Sequence, residues 1–86
     1  MSLKQVLGKN IRYFRLSNNY TQEKLAEFLD ISVTYMSDME LGKSNVSLDL
    51  MEKIANFFQL EYKELFEIRQ FHSLTQANKK KDLVKN

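Results

Sequence analysis

Apolar residues recur along this chain at three- and four-residue intervals, the spacing that gathers them on one face of an α-helix. Five such stretches are separated by capping and turn residues. The first opens at Ser2, with Gln5 three positions on in capping-box spacing. Val6, Leu7, Ile11 and Phe14 then share a face, until Ser17-Asn18-Asn19 makes a turn. Thr21 is a good N-cap for a second, two-turn helix, with Glu23 at its positive end and Leu25, Ala26, Phe28 and Leu29 as its buried side. Asp30-Ile31 follows, and Ser32 caps a third helix from about Val33 to Leu41. In that helix Tyr35, Met36 and Met39 are expected inward and Thr34, Ser37 and Asp38 outward. Gly42 stands where a helix closes in a left-handed conformation. After the loop Lys43-Ser44-Asn45-Val46, Ser47 caps a fourth helix bearing Leu48, Met51, Ile54, Ala55 and Phe58. Gln59-Leu60-Glu61 connects it to a fifth beginning near Tyr62, with Leu65 and Phe66 inward. Ile68, Phe71 and Leu74 extend that stripe by two further turns. The pattern predicts an all-α, compact five-helix domain over residues 1–77 with its C-terminal helix extended, followed by a basic tail over 78–86.

Composition narrows the chemistry. A chain of 86 residues with 43% apolar and 28% charged positions suits one globular domain, near the size at which core burial becomes marginal. The absence of proline and the scarcity of β-branched runs agree with helices. No cysteine is present, which excludes disulfides and Cys-type zinc sites. His72 is the single histidine, too little for a metal site, and two glycines cannot make a phosphate-cradling loop. Glu61 and Glu64 lie at helical spacing but have no nucleophile or cofactor motif beside them, so neither enzyme activity nor a cofactor is expected. No stretch approaches the ~18 apolar residues of a membrane span, and the N-terminus lacks a signal peptide's apolar core, so a cytoplasmic protein without membrane contact is expected. Charge is uneven: residues 1–20 carry net +4, 21–66 net −5 and 67–86 net +3. The basic ends permit an anionic partner without demanding one.

The informative stretch is residues 21–42: helix, three-residue turn, helix. Helices joined this tightly cross steeply, and the second projects outward. Its outer residues are small and polar, unlike the long charged side chains of most solvated helix faces, and a major groove about 12 Å wide admits one such helix. Pattern alone leaves open that the pair merely packs within a small bundle.

The residues themselves point further. Thr21-Gln22-Glu23-Lys24-Leu25-Ala26-Glu27, then Ile31-Ser32-Val33-Thr34-Tyr35-Met36-Ser37, then Glu40-Leu41-Gly42-Lys43 closely resembles the helix-turn-helix family of phage Cro and repressor type, also called the xenobiotic-response-element family. The resemblance continues through Ser47-Leu48, Lys53-Ile54-Ala55 and Leu65-Phe66, over roughly residues 5–66. It implies a five-helix DNA-binding domain acting as a homodimer on a palindromic operator. Asp30 stands where the family usually has glycine, but Asp tolerates the left-handed conformation better than most residues. Leu41 replaces a frequently basic residue, which removes one possible DNA contact, and Val46 replaces a frequent proline.

Carried over residue by residue, the resemblance puts Gln22 and its helix end on a phosphate and Val33, Thr34, Ser37 and Asp38 at base-reading positions. Lys43, Ser44 and Asn45 fall in a loop that touches the DNA backbone. Thr34 offers a hydroxyl and a methyl, Val33 only apolar contact, and Asp38 an acceptor for a cytosine amino group. Tyr35 is left between the sugar-phosphate edge, the base stack and the core. Arg15 matches a family position that pairs with Glu40, while Arg12 faces solvent or a phosphate. Ile68, Phe71 and Leu74 are the expected dimer interface. The expected function is that of a sequence-specific transcriptional regulator partnered by double-stranded DNA and a second copy. Phage repressors, restriction–modification controllers and antitoxin-like regulators are the small family members of this kind. The alternative is an antitoxin-like module that neutralises a protein partner, with DNA binding secondary.

Overall fold

The computed structural model describes residues 1–69, which form four α-helices and one 3₁₀ turn. They are α1 Leu3–Ser17, α2 Gln22–Leu29, α3 Val33–Glu40 and α4 Leu48–Phe58, with the 3₁₀ turn at Tyr62–Leu65. Every predicted N-cap is made. The hydroxyls of Ser2, Thr21, Ser32 and Ser47 accept from the backbone N–H three residues on, and Gln5 completes the capping box on Ser2. The helix ends differ in kind. α2 stops at Asp30 and α4 at Gln59, each left-handed, with φ near 60° and 58°. α3 ends at Leu41, and Gly42 follows with φ 75°. Only Gly42 is a glycine; Asp30 adopts the strained conformation that the resemblance required of it.

The core is continuous. Leu7 and Ile11 of α1, Leu25, Ala26 and Leu29 of α2, Met36 and Met39 of α3, and Leu50, Ile54 and Ala55 of α4 pack together with Leu65. Two expected apolar placements are corrected. Phe28 is 50% exposed, because it leaves the core to meet Tyr20 and Phe57 edge-on and tilted, at ring separations of 5.8 and 5.4 Å. Leu48 is 80% exposed, since Leu50 and not Leu48 faces the core from the first turn of α4. Leu50, unassigned from the sequence, is buried in its place.

Among the described residues the fifth helix is reduced to the 3₁₀ turn Tyr62–Leu65, and residues 67–69 after it are not helical. Asn10 is the physical reason. It sits among Val6, Leu7, Ile11 and Phe14 on the buried face of α1, and its Nδ2 donates to the carbonyls of Leu65 and Glu67, both at 2.8 Å. A continuing helix would offer those carbonyls to amides four residues on. Its Oδ1 accepts from Arg69 Nη1 at 2.8 Å, and the Arg69 guanidinium lies over the rings of Tyr13 and Phe14 at 4.7 and 4.8 Å. The Glu61–Glu64 capping box thus closes one 3₁₀ turn, after which the chain crosses α1 without helical structure. Ile68 therefore belongs to no helical stripe and is 84% exposed. Phe71, Leu74, His72 and the segment 78–86 lie outside the described residues.

Gly8 sets how closely α1 and α3 approach. A Cβ there would meet the Glu40 carbonyl oxygen at 2.7 Å and come closer still to that of Met39. Backbone cannot yield as a flexible side chain can. Gly8→Ala is therefore expected to destabilise by about 1–3 kcal/mol, although alanine is the better helix former by about 1 kcal/mol. Urea unfolding of the two chains checks the sign.

Candidate nucleic-acid interface

The unit from α2 to α3 is built by its turn. Asp30 N–H donates to the Glu27 carbonyl and Ile31 N–H to that of Ala26, and Ile31 packs against the core. Ser32 immediately restarts the helix. With Met36 and Met39 of α3 buried at 0% and 1% exposure, its opposite side is turned outward. Val33 and Thr34 are exposed and Ser37 and Asp38 half-buried, so the four expected base readers share a side of α3 free of core packing. Leu41 is exposed at its end.

One buried carboxylate ties the neighbouring elements to α3. Glu40 Oε2 accepts from Arg15 Nε at 2.6 Å and Oε1 from Arg15 Nη2 at 3.0 Å, a two-pronged pair between α1 and α3. The remaining Arg15 nitrogen donates to the Tyr20 carbonyl at 2.9 Å. Glu40 Oε1 also accepts from Gln22 Nε2 at 2.9 Å, and the half-exposed guanidinium of Arg12 stands 3.8 Å away. The pair expected from the resemblance is present. The bond to Gln22 is a feature the sequence did not announce. One of the two Nε2 hydrogens of Gln22 is committed to Glu40, and the first backbone N–H groups of α2 have no helical acceptor.

On the other flank lies the loop after α3. Lys43 N–H donates to the Asp38 carbonyl at 2.9 Å, and Lys43 and Asn45 are exposed, with Ser44 half-buried. Of the three readings left open for Tyr35 the ring follows the core one, half-buried against it, while its hydroxyl donates to the Asn45 carbonyl at 2.6 Å. Gln22, the outer side of α3 and the Lys43–Asn45 loop are thus joined by hydrogen bonds into one assembly. Among the described residues no group of histidine and acidic side chains is arranged to hold a metal ion, and no helix is long and apolar enough to cross a membrane.

Comparison with known proteins settles the family. The family model described as helix-turn-helix matches residues 11–65. The chain belongs to the helix-turn-helix family. Control protein C.BamHI of Bacillus amyloliquefaciens is 42% identical over 67 residues, covering 77% of this chain and 83% of that protein. The crystal structure of the restriction-modification controller protein C.AhdI from Aeromonas hydrophila superposes with a TM-score of 0.68 at 32% identity, over 73% of this chain and 96% of that one. Antitoxin PezA of Streptococcus pneumoniae is 33% identical over 70% of this chain but only 38% of its own length. This helix-turn-helix chain is thus a DNA-binding transcription regulator by family, with similarity to controller proteins extending over most of their length.

The Arg15–Glu40 pair makes a stability test. Removing one member leaves the other charged and buried, so Arg15→Met and Glu40→Leu should each destabilise by about 3–5 kcal/mol. The double variant should recover part of that loss, because no lone charge is left in the interior. Thermal unfolding of the four chains checks it, and strict additivity would contradict it.

Proposed function

We propose that this regulator binds a palindromic operator as a homodimer, with α3 in the major groove of each half-site. The observation that carries the reading is the outer side of α3: small and polar, free of core packing, and flanked by Gln22 and the Lys43–Asn45 loop. On this reading Val33, Thr34, Ser37 and Asp38 meet base edges, while Gln22, Lys43, Ser44 and Asn45 meet the sugar-phosphate backbone. The base readers are short, and none is Arg, Asn or Gln, so phosphate contacts carry much of the affinity. Tyr35 is placed beside them as a support for the loop.

Ile68, which is exposed, remains a proposed part of the interface with Phe71 and Leu74, which lie outside the described residues; the described residues offer a further apolar face for the dimer. An apolar groove of about 440 Å³ runs between α4 and the 3₁₀ turn, lined by Leu48, Met51, Glu52, Tyr62, Leu65 and Phe66. Leu48 and Tyr62 stand well out of the surface there, an exposure that favours coverage. A second copy seated on it gives a self-complementary two-fold interface. Two-fold symmetry would set the two α3 helices on successive half-sites, about 34–36 Å apart. The similarity to an antitoxin supports a second reading, in which the same groove takes a different protein.

Selection of bound duplexes from a random pool tests the DNA reading. Affinity for a selected duplex should fall by roughly 10³–10⁵ between 50 and 200 mM salt if about 6–10 phosphates are contacted. Thr34→Ala should relax base preference at one symmetric pair of positions. Lys43→Ala should weaken all sequences alike and flatten the salt slope. A flat salt response contradicts the account.

Leu48→Asp tests the interface. Leu48 is the first residue of α4, where an acid suits the helix end, and its exposure means that the monomer's core does not depend on it. The variant should keep its circular dichroism and sediment as a monomer. A dimer that survives the change would place the interface elsewhere, and a wild-type chain that sediments as a monomer would favour the antitoxin-like reading.

A further inference from the structure

Tyr35 sits on the helix proposed to read bases, yet its hydroxyl is engaged within the protein. The helix beneath it is firmly held. Tyr35 N–H is capped by Ser32 Oγ at 3.0 Å, and the next residue, Met36, is fully buried. The loop it reaches is held unevenly. Lys43 is pinned through its own backbone to the Asp38 carbonyl at 2.9 Å. Among the described residues no backbone–backbone hydrogen bond holds Ser44, Asn45 or Val46, and Val46 is fixed by packing against the core. Between those two anchors, the 2.6 Å bond from Tyr35 Oη to the Asn45 carbonyl ties the middle of the loop to α3. A tyrosine suits this task, since only two side-chain torsions separate the hydroxyl from a rigid helix.

We propose that Tyr35 is a positioning residue for DNA binding, which holds Asn45 at the height above α3 where its side chain meets a backbone phosphate. The assignment rests on the DNA reading above. It separates two halves of one loop: Asn45 depends on Tyr35 for its placement, whereas Lys43 does not. It also separates Tyr35 from a direct contact, because the hydroxyl acts through the Asn45 carbonyl and touches no DNA itself. The bond lies at the surface, so its loss scarcely affects folding.

The test is a pair of double-mutant cycles with the full chain and a duplex selected by it from a random pool. Tyr35→Phe removes one hydroxyl and keeps the ring, so the urea midpoint should stay at the wild-type value. Its affinity should fall about five-fold, the factor one ordinary hydrogen bond represents. Asn45→Ala should weaken binding by a similar factor, and adding Tyr35→Phe to it should cause no further loss. Tyr35→Phe combined with Lys43→Ala should be additive. Tyr35→Phe without effect, Asn45→Ala without effect, or additivity in the Tyr35–Asn45 cycle overturns the assignment while leaving the DNA reading intact. Additivity there with a reduced affinity for Tyr35→Phe would mark the hydroxyl as a direct DNA contact. A wild-type chain that binds no duplex overturns the DNA reading, and this assignment with it.

Discussion

The buried carboxylate of Glu40 is the constraint on which this small domain turns. It terminates α3, and it accepts from α1 through Arg15 and from the start of α2 through Gln22. A hydrophobic core fixes distances between helices loosely, because apolar contacts are non-directional. A two-pronged guanidinium–carboxylate pair adds direction: two parallel bonds lock the rotation of α3 relative to α1. Gly8 contributes to the same junction by letting the two backbones come close beside Glu40. Because a buried pair gains little net stability over an apolar replacement, its value here is geometric. An outer helix face is useful for reading only if its angle is fixed, and Glu40 fixes it at one end.

Much of this was readable from residue types with strong local preferences. The four hydroxyl N-caps, Gly42 after α3 and the left-handed Asp30 follow from short-range chemistry, and all stand where expected. The failures share a cause in long-range partners. Helical spacing continues past Phe66, but over the described residues 67–69 no helix follows, because Asn10, more than fifty residues earlier, takes the carbonyls of Leu65 and Glu67. A signal did exist: Asn10 lies inside the apolar face formed by Val6, Leu7, Ile11 and Phe14, and a polar residue there must find partners. Phe28 and Leu48 satisfied the period but lay at its margins, where the neighbouring element decides whether a side chain is covered.

The candidate site was legible in its composition more than in its wiring. Val33 and Thr34 face outward as expected, and Lys43 and Asn45 are exposed. What the sequence did not disclose is the partners inside the protein of Gln22, assigned by position to the DNA side, and of Tyr35, left open between the DNA side and the core. Each is amphipathic in function: Gln22 has one amide hydrogen bound to Glu40 and another to offer, and Tyr35 has a ring for the core and a hydroxyl for the loop. Side chains of this type report their position in a motif without reporting which of their atoms are already used.

That double use bears on how a helix with short readers can discriminate. Thr34 and Ser37 offer single hydrogen bonds, and Val33 offers a methyl surface, so each contact is weak compared with a two-pronged arginine on guanine. Weak contacts discriminate only when their geometry is enforced, since a helix free to shift would exchange one poor contact for another. Enforcement here comes from both ends of α3. Glu40 binds one end to Arg15 and Gln22, and Tyr35 binds the first turn to the loop carrying Lys43 and Asn45. If the groups that flank α3 grip phosphates, they hold it at a set depth, and base preference then comes from what fits at that depth as much as from what is bonded. On the proposed reading α3 needs no arginine of its own, because a rigid frame would convert modest contacts into a selective fit.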